Sequence, residues 1–169
     1  MGTTSLRAKM FSNDTPLIVP ALGALYHALG PFVEALLRFA VGMALVPHGL
    51  RMCLGYFKGT GGPISNVRQV AAMYDRKGYK PGRMWAYATV LTQFVAAPCL
   101  ALGLFTRPMA LPVFLLMALS AYDHAKYDGY FWNKTGVEYP AMWAIGALYF
   151  LVHGGGVISL DHLLLGWEF

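Results

Sequence analysis

Four long apolar runs, parted by polar, glycine-rich or proline-marked stretches, organise this chain. The first runs from Phe32 to Leu54 and carries Arg38, His48 and Arg51 in its interior. At about 1.5 Å per residue it is long enough to cross a hydrocarbon core about 30 Å thick. The second runs from Met84 to Phe105, interrupted by Pro98. The third begins after Arg107-Pro108, where proline suits a first helical turn, and ends near Tyr122-Asp123-His124. The fourth begins near Tyr139-Pro140 and ends at His153, where Gly154-Gly155-Gly156 stops it. Lipid leaves no backbone polar group unpaired, so such runs are helices. The strict alternation of a β-barrel strand is missing, for instance from Ala110 to Leu119. The pattern predicts an all-α, integral membrane, four-helix transmembrane bundle with spans near 32–54, 84–105, 108–124 and 139–153.

Two flanking pieces complete the predicted architecture. Residues 1–15 are polar and do not read as a cleaved signal. The apolar stretch from Pro16 to Gly30, broken by Pro20 and Gly23, is too short for a span and is expected to lie in the interface or pack on the bundle. This divides the chain into an N-terminal extension, 1–31, and a transmembrane domain, 32–169. In the long connection from Tyr56 to Arg83, Val67, Val70, Ala71 and Tyr74 recur at helical spacing, with Arg68, Asp75 and Arg76 opposite. That predicts a short amphipathic helix on the membrane surface.

Composition agrees with a lipid solvent. The chain of 169 residues is 57% hydrophobic and only 12% charged, against about 25% charged in soluble domains. Its net charge of +5 does not point to nucleic acid, because the basic residues sit in loops between apolar runs and form no basic stripe. Those loops give an orientation. Lys58, Arg68, Arg76, Lys77, Lys80, Arg83, Lys126 and Lys134 follow the first and third spans, whereas Arg7, Lys9 and Arg107 lie on the other side. The excess places the first group in the cytoplasm and both termini on the non-cytoplasmic side of a cell inner membrane. Cys53 and Cys99 have no metal-ligand spacing and differ in depth by far more than a disulfide spans, so both read as packing. No metal site is expected.

The few polar groups inside the spans are the candidate chemistry. His48 lies late in the first span and Gln93 midway through the second. The spans are antiparallel, so the two share a depth, and Arg51 shares a helix face with His48. Asp123 and His124 end the third span on that side, and Glu138 precedes the fourth. His48, Arg51, Gln93, Asp123, His124 and Glu138 therefore gather at one end of the bundle. Ionisable groups at membrane depth are functional candidates. Donors to carbonyl oxygens, a proton route and an apolar approach suit a quinone headgroup; a structural lock built on the same residues is the plainer reading. At the opposite end, Arg38, Arg107 and Asp161 suggest a structural ion pair between Arg38 and Asp161. The run Tyr127-Asp128-Gly129-Tyr130-Phe131-Trp132 reads as an interfacial aromatic belt.

Several pieces together resemble the DoxX family of small membrane proteins. They are Arg38-Phe39 with Gly42, His48-Gly49 with Arg51, and Leu102-Gly103-Leu104-Phe105-Thr106-Arg107. Gly129-Tyr130-Phe131-Trp132, Gly136-Val137-Glu138-Tyr139-Pro140 and Gly156-Val157-Ile158-Ser159-Leu160-Asp161 follow. Gln93 stands where the family often has a carboxylate. The resemblance implies a four-helix membrane protein tied to quinone-dependent respiration, as in subunits of a terminal quinol oxidase or of thiosulfate:quinone oxidoreductase. The expectation is an accessory subunit of a quinone-linked electron-transfer complex without autonomous enzymatic activity. It would have no intrinsic cofactor beyond a quinone or quinol, and its partners would be lipids and other membrane subunits. The alternatives are a purely structural scaffold of a respiratory or photosynthetic complex and a small-molecule carrier.

Overall fold

A computed structural model describes residues 17–57, 59–60 and 63–167. The polar N-terminal residues through 16, together with Lys58, lie outside the described residues. Every regular element among the described residues is helical. The helices are α1 (Gly23–Met43), α2 (Leu45–Leu54), α3 (Val67–Arg76), α4 (Gly82–Leu102), α5 (Thr106–Tyr127) and α6 (Glu138–His153). Among the described residues, two helical stretches, Pro20–Leu54 and Gly82–Leu102, are long and apolar enough to cross a membrane.

The chain forms two compact units, Met1–Gly30 and Pro31–Phe169. In the first, a short turn of 3₁₀ helix, Pro20–Leu22, leads into the start of α1. The segment from Pro16 to Gly30, expected as a separate interfacial or packed piece, is thus helical from Pro20 onward. Pro31 lies inside α1.

In the second unit, proline explains the breaks in the helical runs. α1 and α2 part at Ala44. Pro47 has no N–H to offer the Met43 carbonyl four residues back, so the ladder is interrupted there. In α4 the residues Thr92–Ala96 form a wide π turn, closed by the Ala97 amide on the Thr92 carbonyl. Pro98 cannot donate to the carbonyl of Phe94, and the wider turn relieves the clash of its ring.

The main core joins α1, α2, α4, α5 and α6 through Val41, Leu45, Ala97, Leu100, Val113, Ala147 and Phe150. Small residues set how close these helices come. A Cβ on Gly42 would stand 2.3 Å from the Ala97 carbonyl oxygen and 2.7 Å from the Ala101 amide. Only glycine permits that approach, the usual device of helices that pack without a hydrophobic drive. A second, smaller core gathers Val70, Ala71 and Tyr74 of α3 against Ala86, Trp85, Met52 and Leu119. The predicted amphipathic helix therefore exists, but it spends its apolar face on the protein.

Candidate functional site

Helix packing gathers polar groups at both ends of the second unit. At the end where α2 and α5 finish, Asp123 is 6% exposed. It accepts one bond from Lys77 Nζ and one from Tyr79 Oη, each 2.7 Å long. The three side chains pin the turn after α3 to the last part of α5. Nearby, Tyr74 Oη and Thr89 Oγ1 are 2.8 Å apart, and the Gly82 amide donates to Asp75 Oδ1 at 2.8 Å, which caps the first turn of α4. Partial burial pushes the Tyr79 phenol up to about 12, helped by its bond to Asp123 and by that carboxylate's charge. Burial also raises Tyr74, and its bond to Thr89 opposes the rise.

The other predicted residues at this end are drawn into separate contacts. His124 Nδ1 is 2.7 Å from Asp128 Oδ2, one helical turn on. Glu138 accepts from the Trp132 amide at 3.2 Å, tying the aromatic loop to the start of α6. Gln93 lies in the π turn of α4 and is 4% exposed. Its backbone neighbour across the interface is Gly49, whose Cβ would meet Gln93 Cβ at 3.0 Å and the Phe94 ring at 3.1 Å. The position next to His48 and the middle of α4 are therefore at one depth. Gln93 Oε1 is buried and has no hydrogen-bond partner among the described residues. His48 itself is exposed, and Arg51 is half-buried. Asp123 and His124, adjacent in sequence, reach to different partners, and Gln93 sits midway along α4.

The opposite end is a tighter knot. Arg38, 3% exposed, donates to the carbonyls of Gly155 and Ile158. Asp161, 2% exposed, accepts from the amides of Phe105 at 2.6 Å and Thr106 at 2.8 Å, and from Thr106 Oγ1 at 2.7 Å. A carboxylate at the N-terminus of α5 meets its unpaired amides and the positive end of its dipole. Both members of the expected Arg38–Asp161 pair are buried at this end and engage backbone groups. Arg38 holds carbonyls of the glycine loop that precedes Asp161, Asp161 holds amides at the start of α5, and the Asp161 amide returns a 2.8 Å bond to the Gly103 carbonyl. Arg107 donates to the His153 carbonyl at 3.4 Å.

Sequence reasoning passed over Lys77, Tyr79, Tyr74, Thr89 and Glu34. Glu34 was legible: it is an acid inside the first apolar run, one helical turn before Arg38. Tyr149 Oη donates to Glu34 Oε1 at 3.4 Å. Lys77 and Tyr79 carried no local signal, because Asp123 is more than 40 residues away in sequence. No group of three or more His, Cys, Asp or Glu able to hold a metal ion occurs among the described residues.

Among the described residues the protein is all-helical with two membrane-length apolar helices, which defines a class of small apolar helical proteins. More narrowly, the chain belongs to the DoxX family, whose sequence profile matches residues 33–126, from the middle of α1 almost to the end of α5. No curated protein matches the chain. No solved structure matches it either.

Proposed function

We propose that this is an integral membrane protein whose stretches α1–α2, α4, α5 and α6 each cross the bilayer, and that it serves as an accessory subunit of a quinone-linked respiratory electron-transfer complex. Its exterior supports the membrane assignment. Phe32, Leu36, Phe39, Leu91, Val95, Leu115, Met142, Ile145 and Val152 are all about half or more exposed. In water a soluble monomer rarely presents so much contiguous apolar surface. Lipid is the solvent that such side chains need.

The quinone link rests on the family resemblance and on one observation, the buried Gln93 carboxamide whose Oε1 has no partner. An unmet polar atom at membrane depth is costly unless a ligand completes it. On this reading His48, Arg51 and Gln93 serve the headgroup and Asp123 with His124 handles protons, while electron-carrying centres belong to partner chains. The basic loops face the cytoplasm.

A second reading, a purely structural subunit, is favoured by Asp123. Both of its oxygens are engaged by Lys77 and Tyr79, which suits a lock better than a proton relay. One experiment separates the two. The protein is purified gently with whatever accompanies it, and quinone-linked turnover of the complex is compared with that of His48→Ala and Arg51→Ala. A fall of about tenfold or more is expected, equivalent to about 1.4 kcal/mol. Unchanged turnover in an intact complex removes the quinone role and leaves the scaffold.

A further inference from the structure

From Val67 to Arg83, α3, the turn after it and the first residues of α4 carry Arg68, Arg76, Lys77, Lys80 and Arg83 against a single acid, Asp75. Two of these charges are spent inside the protein. Lys77 donates to Asp123 at 2.7 Å, and Asp75 accepts from the Gly82 amide at 2.8 Å. Arg68, Arg76, Lys80 and Arg83 are all exposed. None of their side chains enters a salt bridge or hydrogen bond among the described residues.

Three of these cations are held in place by the residues beside them. Lys77 and Tyr79 both bond to Asp123. Gly82 lies so close to α3 that a Cβ there would stand 2.1 Å from the Ala71 carbonyl oxygen. Each anchored residue has an unpaired cation next to it in the chain: Arg76 beside Lys77, Lys80 beside Tyr79, Arg83 beside Gly82. The bond from Gly82 to Asp75 sets Arg76 and Arg83 on adjoining backbones, so three positive charges crowd one junction. Such charges repel one another unless an anion sits among them. Beyond Arg83, an exposed face of α4 continues as Tyr87 and Leu91, about one and two helical turns on. Cations above an apolar stripe match a phospholipid, whose phosphate sits above its acyl chains. An acidic protein segment would answer the cations but not the stripe.

We propose that the junction of α3 and α4 is a binding site for an anionic phospholipid of the surrounding leaflet, with Arg76, Lys80 and Arg83 around the phosphate and Tyr87 and Leu91 along an acyl chain. Basic residues clustered where a span enters the headgroup layer attract anionic lipid, and salt weakens the attraction. Arg68 starts about two helical turns back along α3 and lies outside the site. The proposal rests on the reading of α4 as a membrane span and is independent of the quinone role.

The test uses the full chain in detergent micelles, with phosphatidylglycerol as the anionic probe and phosphatidylcholine as the zwitterionic one; native mass spectrometry counts the lipid retained. The parent should hold phosphatidylglycerol about tenfold or more tightly than phosphatidylcholine. Arg76→Gln with Lys80→Gln and Arg83→Gln should abolish that preference. Arg68→Gln with Lys126→Gln and Lys134→Gln removes the same charge from elsewhere on that side and should keep it. All six side chains are exposed, so both variants should melt with the parent. If the first melts early, Arg83→Gln alone carries the test and should weaken retention about threefold or more. Equal losses in the two triple variants would reduce the effect to net charge and overturn the site. Displacement of the lipid by an equal concentration of inorganic phosphate would show a free-anion site and overturn the lipid assignment. A parent without preference that still reconstitutes into phosphatidylcholine vesicles loses the site and keeps the span. A parent that does not reconstitute at all loses both.

Discussion

Asp123 shows how much one buried carboxylate can decide. With both oxygens engaged, it ties the turn after α3 to α5. Replacing it by Ala strands the Lys77 ammonium and the Tyr79 hydroxyl, and a loss of about 1–3 kcal/mol is expected; thermal unfolding in detergent would measure it. Lys77→Met combined with Asp123→Asn should cost less than the sum of the single changes, because the pair is removed together. Tyr79 gives a pH signature with a definite sign. Its folded pKa, about 12, lies above the ordinary value of 10. Its contribution to stability is therefore complete below pH 10 and lost as pH rises towards 12. The ultraviolet titration of tyrosinate should include Tyr79 among its late-ionising phenols, and Tyr79→Phe should reduce that late step by one group. Arg38 is the counterpart at the other end. Arg38→Ala leaves the Gly155 and Ile158 carbonyls without their donor and should destabilise by about 3 kcal/mol; Arg38→Lys should not restore it, since a single ammonium does not reproduce the forked guanidinium.

Among the elements, close approach governs. Gly42 faces the backbone of α4, whereas Gly146 faces a methyl of Val41, at 2.8 Å from its Cγ2. A side-chain methyl can move and a helix backbone cannot. Gly42→Ala is therefore expected to cost about 1–3 kcal/mol through overpacking, and Gly146→Ala less; the order of the two melting temperatures checks this. The α3 helix was legible as amphipathic from Val67, Val70, Ala71 and Tyr74. What its apolar face met was not, because a stripe on a helix is equally satisfied by a membrane surface and by Ala86 and Trp85. The π turn at Thr92–Ala96 was half-legible: Pro98 announced a disturbance, but its form depended on how Gly49 and Phe94 packed beside it.

For the molecule as a whole, the large apolar exterior predicts where the protein partitions. It should stay with the membrane after alkaline carbonate extraction, and detergent should be needed to release it. On the proposed four-span arrangement, the basic loops predict the orientation. A cysteine introduced at Lys134 should react with an impermeant thiol reagent only from the cytoplasmic side, and one at His162 only from the opposite side. Labelling of both from one side would overturn the four-span arrangement.

Helical class, the positions of the long runs and the membership of the DoxX family were written in local pattern, because apolar periodicity, proline and glycine act within a few residues of where they stand. Polar residues rare enough to notice were legible too, His48, Gln93 and Asp161 among them. Their partners were decided only by the tertiary structure. Lys77 and Tyr79 reach Asp123 and Arg38 reaches the glycine loop only because packing brings together segments dozens of residues apart, and no local pattern encodes such a meeting.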